Sequence, residues 1–160
     1  MAFTAIEPLG VELTAVDSTQ AFPLGTIAKG VDPTYGTAEF IYLKGVTSNV
    51  AGAIVSYDVT FTAALHTTAL NLPRPVAISM SAFDAATEYG WAQISGSASA
   101  KKAAAVSFAA GAAFAGSAGL AIAVVSGLIL NGALVSIVAS AKSDVTTVRV
   151  MINRPHGPRN

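Results

Sequence analysis

Between residues 24 and 46, apolar and polar positions alternate as they do in strands. Leu24-Gly25-Thr26-Ile27-Ala28-Lys29-Gly30-Val31 reads as one strand and residues 37–46 as a second, rich in residues that favour extended backbone. Between them, Asp32-Pro33-Thr34-Tyr35-Gly36 has Asp at the first turn position, Pro to preset φ and Gly to close, which predicts a tight turn. In the second strand the two-residue period puts Phe40, Tyr42 and Lys44 on one face and Glu39, Ile41 and Leu43 on the other. Further along, Ile54-Val55-Ser56-Tyr57-Asp58 predicts a strand that continues as a hairpin through residues 61–72. Pro73-Arg74-Pro75 breaks the chain, and Val76-Ala77-Ile78-Ser79-Met80 reads as a buried strand. Ser81-Ala82-Phe83-Asp84 resembles a capping box and predicts one helical turn before Glu88. Tyr89–Gly96 and residues 145–152 complete the strands.

The longest feature is a tract without charge, residues 103–141. A membrane-spanning helix needs about 20 mostly apolar residues, and residues 119–139 come close. Strands and turns fit better. Gly111, Gly116, Gly119, Gly127 and Gly132 interrupt the tract, and each costs a helix interior about 1 kcal/mol relative to Ala. Asn131-Gly132 lies between two apolar runs and predicts a two-residue hairpin. No Lys/Arg cluster flanks one side of the tract, as a positive-inside topology requires. An Ala-rich buried helix between Ser99 and Ala115 is the alternative within a soluble fold, and a short helix over 100–107 is compatible with the strands.

Strands spaced by Gly/Pro turns predict an all-β, single-domain sandwich or barrel, jelly-roll or β-tulip-like, with at most one or two short helices. Its expected divisions are an extended N-terminal arm at 1–23, a β-rich domain at 24–152 and a proline-broken tail at 153–160. Within the arm, Val11, Leu13 and Ala15 alternate with Glu12 and Thr14 as in a short edge strand, and the remainder is expected to lie on a neighbouring molecule.

Composition narrows the function. A chain of 160 residues suits one domain. Charged residues are only 11% and apolar residues 52%, and nine Lys/Arg balance nine Asp/Glu. Zero net charge favours association, so an oligomer or larger assembly is expected. The lack of basic excess argues against nucleic acid as a partner. With no cysteine there are neither disulfides nor thiolate metal sites. The first residues lack a basic stretch followed by a long apolar one, so no signal peptide is expected.

No motif carries chemistry. His66 and His156 are the two histidines, and neither stands beside carboxylates at metal-ligand spacing, so no metal or cofactor is expected. No serine sits in a Gly-x-Ser-x-Gly elbow, and the glycines near 111–119 lack the Lys-Ser/Thr of a phosphate loop. An enzyme is therefore not expected. Trp91 with Tyr89 has the makings of a sugar-stacking platform, although a single Trp in a strand is more often a core anchor. Lys101-Lys102 reads as a solvated turn rather than a docking pair.

Three segments carry a resemblance. They are Phe22-Pro23-Leu24-Gly25-Thr26 with residues 31–46, Tyr89-Gly90-Trp91-Ala92-Gln93-Ile94-Ser95-Gly96, and Val148-Arg149-Val150-Met151-Ile152-Asn153-Arg154-Pro155. With them the chain resembles the head decoration, or cement, proteins of tailed bacteriophages. The resemblance implies a non-enzymatic, β-rich virion protein on the outer surface of the capsid. Its implied partners are the major capsid protein and itself, as dimer or trimer. In that setting the arm residues Phe3, Ile6, Leu9, Val11 and Leu13 supply apolar contact area, and Arg154 and Arg159 bind carboxylates. Two other readings compete: a holin-like membrane protein spanning through 103–141, and a carbohydrate-binding module built on Trp91.

Overall fold

The computed structural model describes residues 4–5 (backbone only), 10–69, 73–124, 128–137 and 146–158. The protein is all-β, and there is no helix among the described residues. The strands are β1 (Thr4–Ala5), β2 (Val16–Asp17), β3 (Ile27–Asp32), β4 (Gly36–Lys44), β5 (Ile54–Tyr57) and β6 (Ala63–Leu65). They continue with β7 (Val76–Ser79), β8 (Tyr89–Lys101), β9 (Ala115–Ser117), β10 (Leu120–Ile122), β11 (Asn131–Val135) and β12 (Thr147–His156). Ten of them form one large antiparallel sheet ordered β1-β3-β4-β8-β7-β5-β6, in which β12 and β2 also pair with β8 and β11 pairs with β12. The two-stranded β9–β10 sheet packs against it, giving a single-domain β-sandwich.

β8 is the hub. Its first half pairs with β4, setting Trp91 opposite Tyr42 and Ala92 opposite Ile41, and its second half pairs with β12 from Ser95 to Lys101. The alternation expected in β4 is present on both faces. Phe40 and Tyr42 join Trp91, Ala28 and Leu13 in one core cluster, while Ile41 and Leu43 join Ala92, Ile94, Val55 and Phe83 in another. Both faces of this strand pair are thus buried. The third cluster, around Ala98, Ala100, Val148, Val150 and Ile152, draws Phe108, Phe114, Ala121 and Leu130 from the uncharged tract. The described residues of the tract close this core with short strands and loops, which is why they are apolar.

The turn at 32–36 forms as expected. Asp32 pairs with Gly36, and the Asp32 carboxylate accepts the N–H groups of Thr34 and Tyr35 at 2.8 and 3.0 Å. Other local signals resolve differently. Residues 81–88 form turns rather than a helix, held by the Glu88 carboxylate, which accepts the N–H groups of Asp84 and Ala85. At 100–107, Ala100 and Lys101 end β8 and no helix follows. Lys102 is 4% exposed, not a solvated turn, because its backbone is bridged to Ala121 and hydrogen-bonded to Thr146.

Asn131-Gly132 is not a hairpin. Both residues lie inside β11, and the register shifts there, from Asn131 opposite His156 to Ala133 opposite Ile152. The positive φ of Gly132, 76°, serves a bulge. The tight hairpin of the tract is instead β9–β10, where Ala118 (φ 48°) and Gly119 (φ 79°) connect Ser117 to its partner Leu120. Two consecutive positive φ values are the requirement of a two-residue type I′ turn. Gly132→Val is expected to cost about 1–3 kcal/mol, since a β-branched residue resists positive φ and overpacks. Its Cβ would lie 2.8 Å from the Asn153 carbonyl oxygen. Urea denaturation measures this, and an unchanged midpoint would rule out the bulge.

The two ends are more integrated than expected. Residues 11–15 make no strand. Val16–Asp17 pairs with β8, and Phe22, Val11 and Leu13 pack on the Trp91 cluster. Thr4–Ala5 pairs with β3 of its own chain. At the other end β12 runs through the supposed tail to His156, and Pro155 is buried.

Candidate functional site

Trp91 is 1% exposed, so it offers no face to a sugar. Its ring lies 5.1 Å from that of Tyr42 and 5.5 Å from that of Phe22. The Tyr42 hydroxyl donates to Asp17 Oδ2 at 2.6 Å and accepts the Ala21 N–H at 3.2 Å. Burial, then the bond to Asp17, pushes the Tyr42 hydroxyl up to about 12. This cluster staples the N-terminal segment to the sheet and is not a binding platform.

His66 is 1% exposed and lies beneath the β9–β10 hairpin. Its Nε2 faces the Thr68 hydroxyl at 3.2 Å, and that oxygen accepts the Gly116 N–H at 2.8 Å. Nδ1 has no hydrogen-bond partner. Burial pushes the imidazole down to about 4. Among the described residues no carboxylate bonds to it, as the orienting group of a general base would. His156 is half-buried on β12, and its Nδ1 donates to the Gly157 carbonyl at 2.8 Å. No group of three or more His, Asp or Glu able to hold a metal occurs among the described residues.

Of the contact residues expected from the sequence, Phe3, Ile6, Leu9 and Arg159 lie outside the described residues. Leu13 is 3% exposed and belongs to this chain's own core, whereas Val11 is partly buried and packs against the same cluster. Arg154 is exposed but already engaged, its guanidinium 3.0 Å from Glu39 of its own chain. A surface pair of this kind contributes about 0–1 kcal/mol.

The surface that stands out lies on β11 and β12. Leu134 and Met151 are directly opposite each other across the two strands, and they are 51% and 50% exposed. They rim a hollow of about 380 Å³ whose other walls include Ala113, Ile129 and the Asn131–Gly132 bulge. The inward positions alternating with them, Ala133, Val135, Val150 and Ile152, are buried. The patch is thus the outer face of a strand pair whose inner face is core. The sequence held a signal for it: in Val148-Arg149-Val150-Met151-Ile152-Asn153, Met151 is apolar on the polar phase of the alternation. Its cross-strand partner was not readable, because β11 and β12 come from distant runs.

Scans of the chain against family models, curated proteins and solved structures give no match.

Proposed function

We propose that this protein is a structural assembly protein of the capsid-decoration type, which stabilises a shell by bridging neighbouring major capsid protein subunits from outside. The observation that carries the reading is the Leu134–Met151 pair with its hollow, an apolar docking face on a β-sandwich. Low charge supports it, as does the sequence resemblance carried by residues 22–46, 89–96 and 148–155. The mechanism is burial of this face, together with sheet backbone, across a seam between subunits. A stable contact of this kind covers about 1,200–2,000 Å², and many copies on one shell add avidity. A holin-like role draws no support from the fold, because no helix among the described residues is long and apolar enough to cross a membrane.

The test is co-sedimentation with undecorated heads. The double variant Leu134→Lys/Met151→Lys is expected to keep the native circular dichroism spectrum, since both side chains are half-exposed. It is expected to lower head binding at least about tenfold, as loss of central apolar anchors does. Full binding by the double variant would remove this face from the proposal.

A further inference from the structure

A second surface lies elsewhere on the molecule, at the loop joining β5 to β6. The loop turns on one carboxylate. Asp58 Oδ1 accepts the Thr60 N–H at 2.8 Å, the Thr60 hydroxyl at 2.7 Å and the Thr62 N–H at 3.1 Å. The Phe61 N–H donates to the Asp58 carbonyl at 3.0 Å. The loop so fixed presents Val59, 94% exposed, at its tip. A stiff, β-branched apolar side chain is therefore held out in water by a preformed loop.

Beside it lies a hollow of about 470 Å³, lined by Tyr57, Phe61, Pro73, Arg74 and Pro75 together with Asp58 and Val59. The Tyr57 and Phe61 rings stack with centroids 6.4 Å apart and planes 25° apart. Phe61 is held at φ 58°, and its ring occupies the space that a Cβ on Gly25 would need. The wall is thus anchored from behind. Asp58 and Arg74, one acid and one base, are both exposed in the lining.

We propose that two copies of this chain associate about a two-fold axis through this patch. Val59 of each enters the Tyr57–Phe61–proline hollow of the other, and Asp58 of each faces the partner's Arg74. A two-fold contact sets one patch against itself, so the patch must carry both halves of every complementary pair. This one does: a projecting side chain beside a hollow, and an acid beside a base. A partner of a single charge sign would meet one of the two rim charges with repulsion. The fixed loop loses little conformational entropy on docking, and zero net charge lets two copies approach. The patch shares no residue with the β11–β12 hollow, so one copy can use both. The proposal rests on the assembly reading only in taking self-association as its purpose, and it is tested on purified protein without heads.

The patch is a loop and two prolines, which is small, so a weak dimer with Kd of about 1–100 µM is expected. Sedimentation velocity of the full chain across that range is expected to show a monomer–dimer shift, which Val59→Lys weakens at least about tenfold with an unchanged circular dichroism spectrum. The chain has no cysteine, so introduced thiols are the only ones present. An oxidised mixture of Val59→Cys and Pro73→Cys chains is expected to cross-link, and more strongly than either variant alone. A wild type that stays monomeric throughout would overturn the proposal, and so would a dimer indifferent to Val59→Lys. Val59→Cys chains linking to themselves as well as to Pro73→Cys chains would place the tips together and overturn mutual insertion.

Discussion

Trp91→Ala is expected to cost about 3–5 kcal/mol, the range for removing a large aromatic side chain from a packed core. The ring is 1% exposed and sits where β4, β8 and the N-terminal segment meet, touching Tyr42 and Phe22. Deleting it opens a cavity that the surrounding strands cannot close, because Tyr42 is tied to Asp17 and Ala21 by hydrogen bonds. Domains of this size lose about 2–4 °C of Tm per kcal/mol, so Tm should fall by roughly 6–20 °C. Since total stability is only about 5–15 kcal/mol, an unfolded variant is also within this expectation. Thermal unfolding followed by circular dichroism measures it, because the variant has no tryptophan left to report fluorescence. A loss below about 1 kcal/mol would show the ring to be on the surface.

Acid should weaken the fold through His66. Its imidazole ionises near 6.5 in an unfolded chain but is held down to about 4 in the folded one, because burial penalises the charged form. Above pH 6.5 both states carry a neutral ring, and the group adds no pH dependence. As pH falls from 6.5 towards 4, the unfolded chain takes up the proton first, so stability drops, by about 3 kcal/mol at pH 4. The strands hydrogen-bonded to this residue share the consequence: His66 N–H donates to Ile54, and its carbonyl accepts the Gly119 N–H of the hairpin turn. His66→Gln keeps a polar group for Thr68 but takes no proton in this range. Urea titrations at pH 7 and pH 4 should show the stability difference between wild type and this variant shifting by about 3 kcal/mol in favour of the variant at pH 4. A difference that stays constant with pH would mean that the folded imidazole titrates normally.

Both expectations concern residues whose role depends on neighbours far along the chain, and that dependence separates what the sequence determined from what it did not. The sequence by itself determined strands β3, β4, β5, β7, β8 and β12 in outline, the turn at 32–36 and the two faces of β4, with Phe40 and Tyr42 on one and Ile41 and Leu43 on the other. These follow from a two-residue period and from local turn chemistry, which act over a few residues. It also determined, through the glycines, that the described part of the uncharged tract (103–124 and 128–137) is strands and loops rather than a helix. The tertiary structure decided which glycine pair turns the chain. Asn131-Gly132 has the stronger hairpin signal, but Leu130 just before it hydrogen-bonds to Phe114, and β11 pairs with β12. Instead β12 arrives from residues 147–156 and makes the pair a bulge, while Ala118-Gly119 turns β9 into β10. It also decided that Leu13 is core, because the Tyr42–Trp91 surface it covers exists only once β4 and β8 have paired. Leu134 and Met151 form one exposed patch for the same reason. Which apolar residue is buried depends on which strands become neighbours, and that is settled by burying the most apolar surface over the whole chain, not by any local pattern.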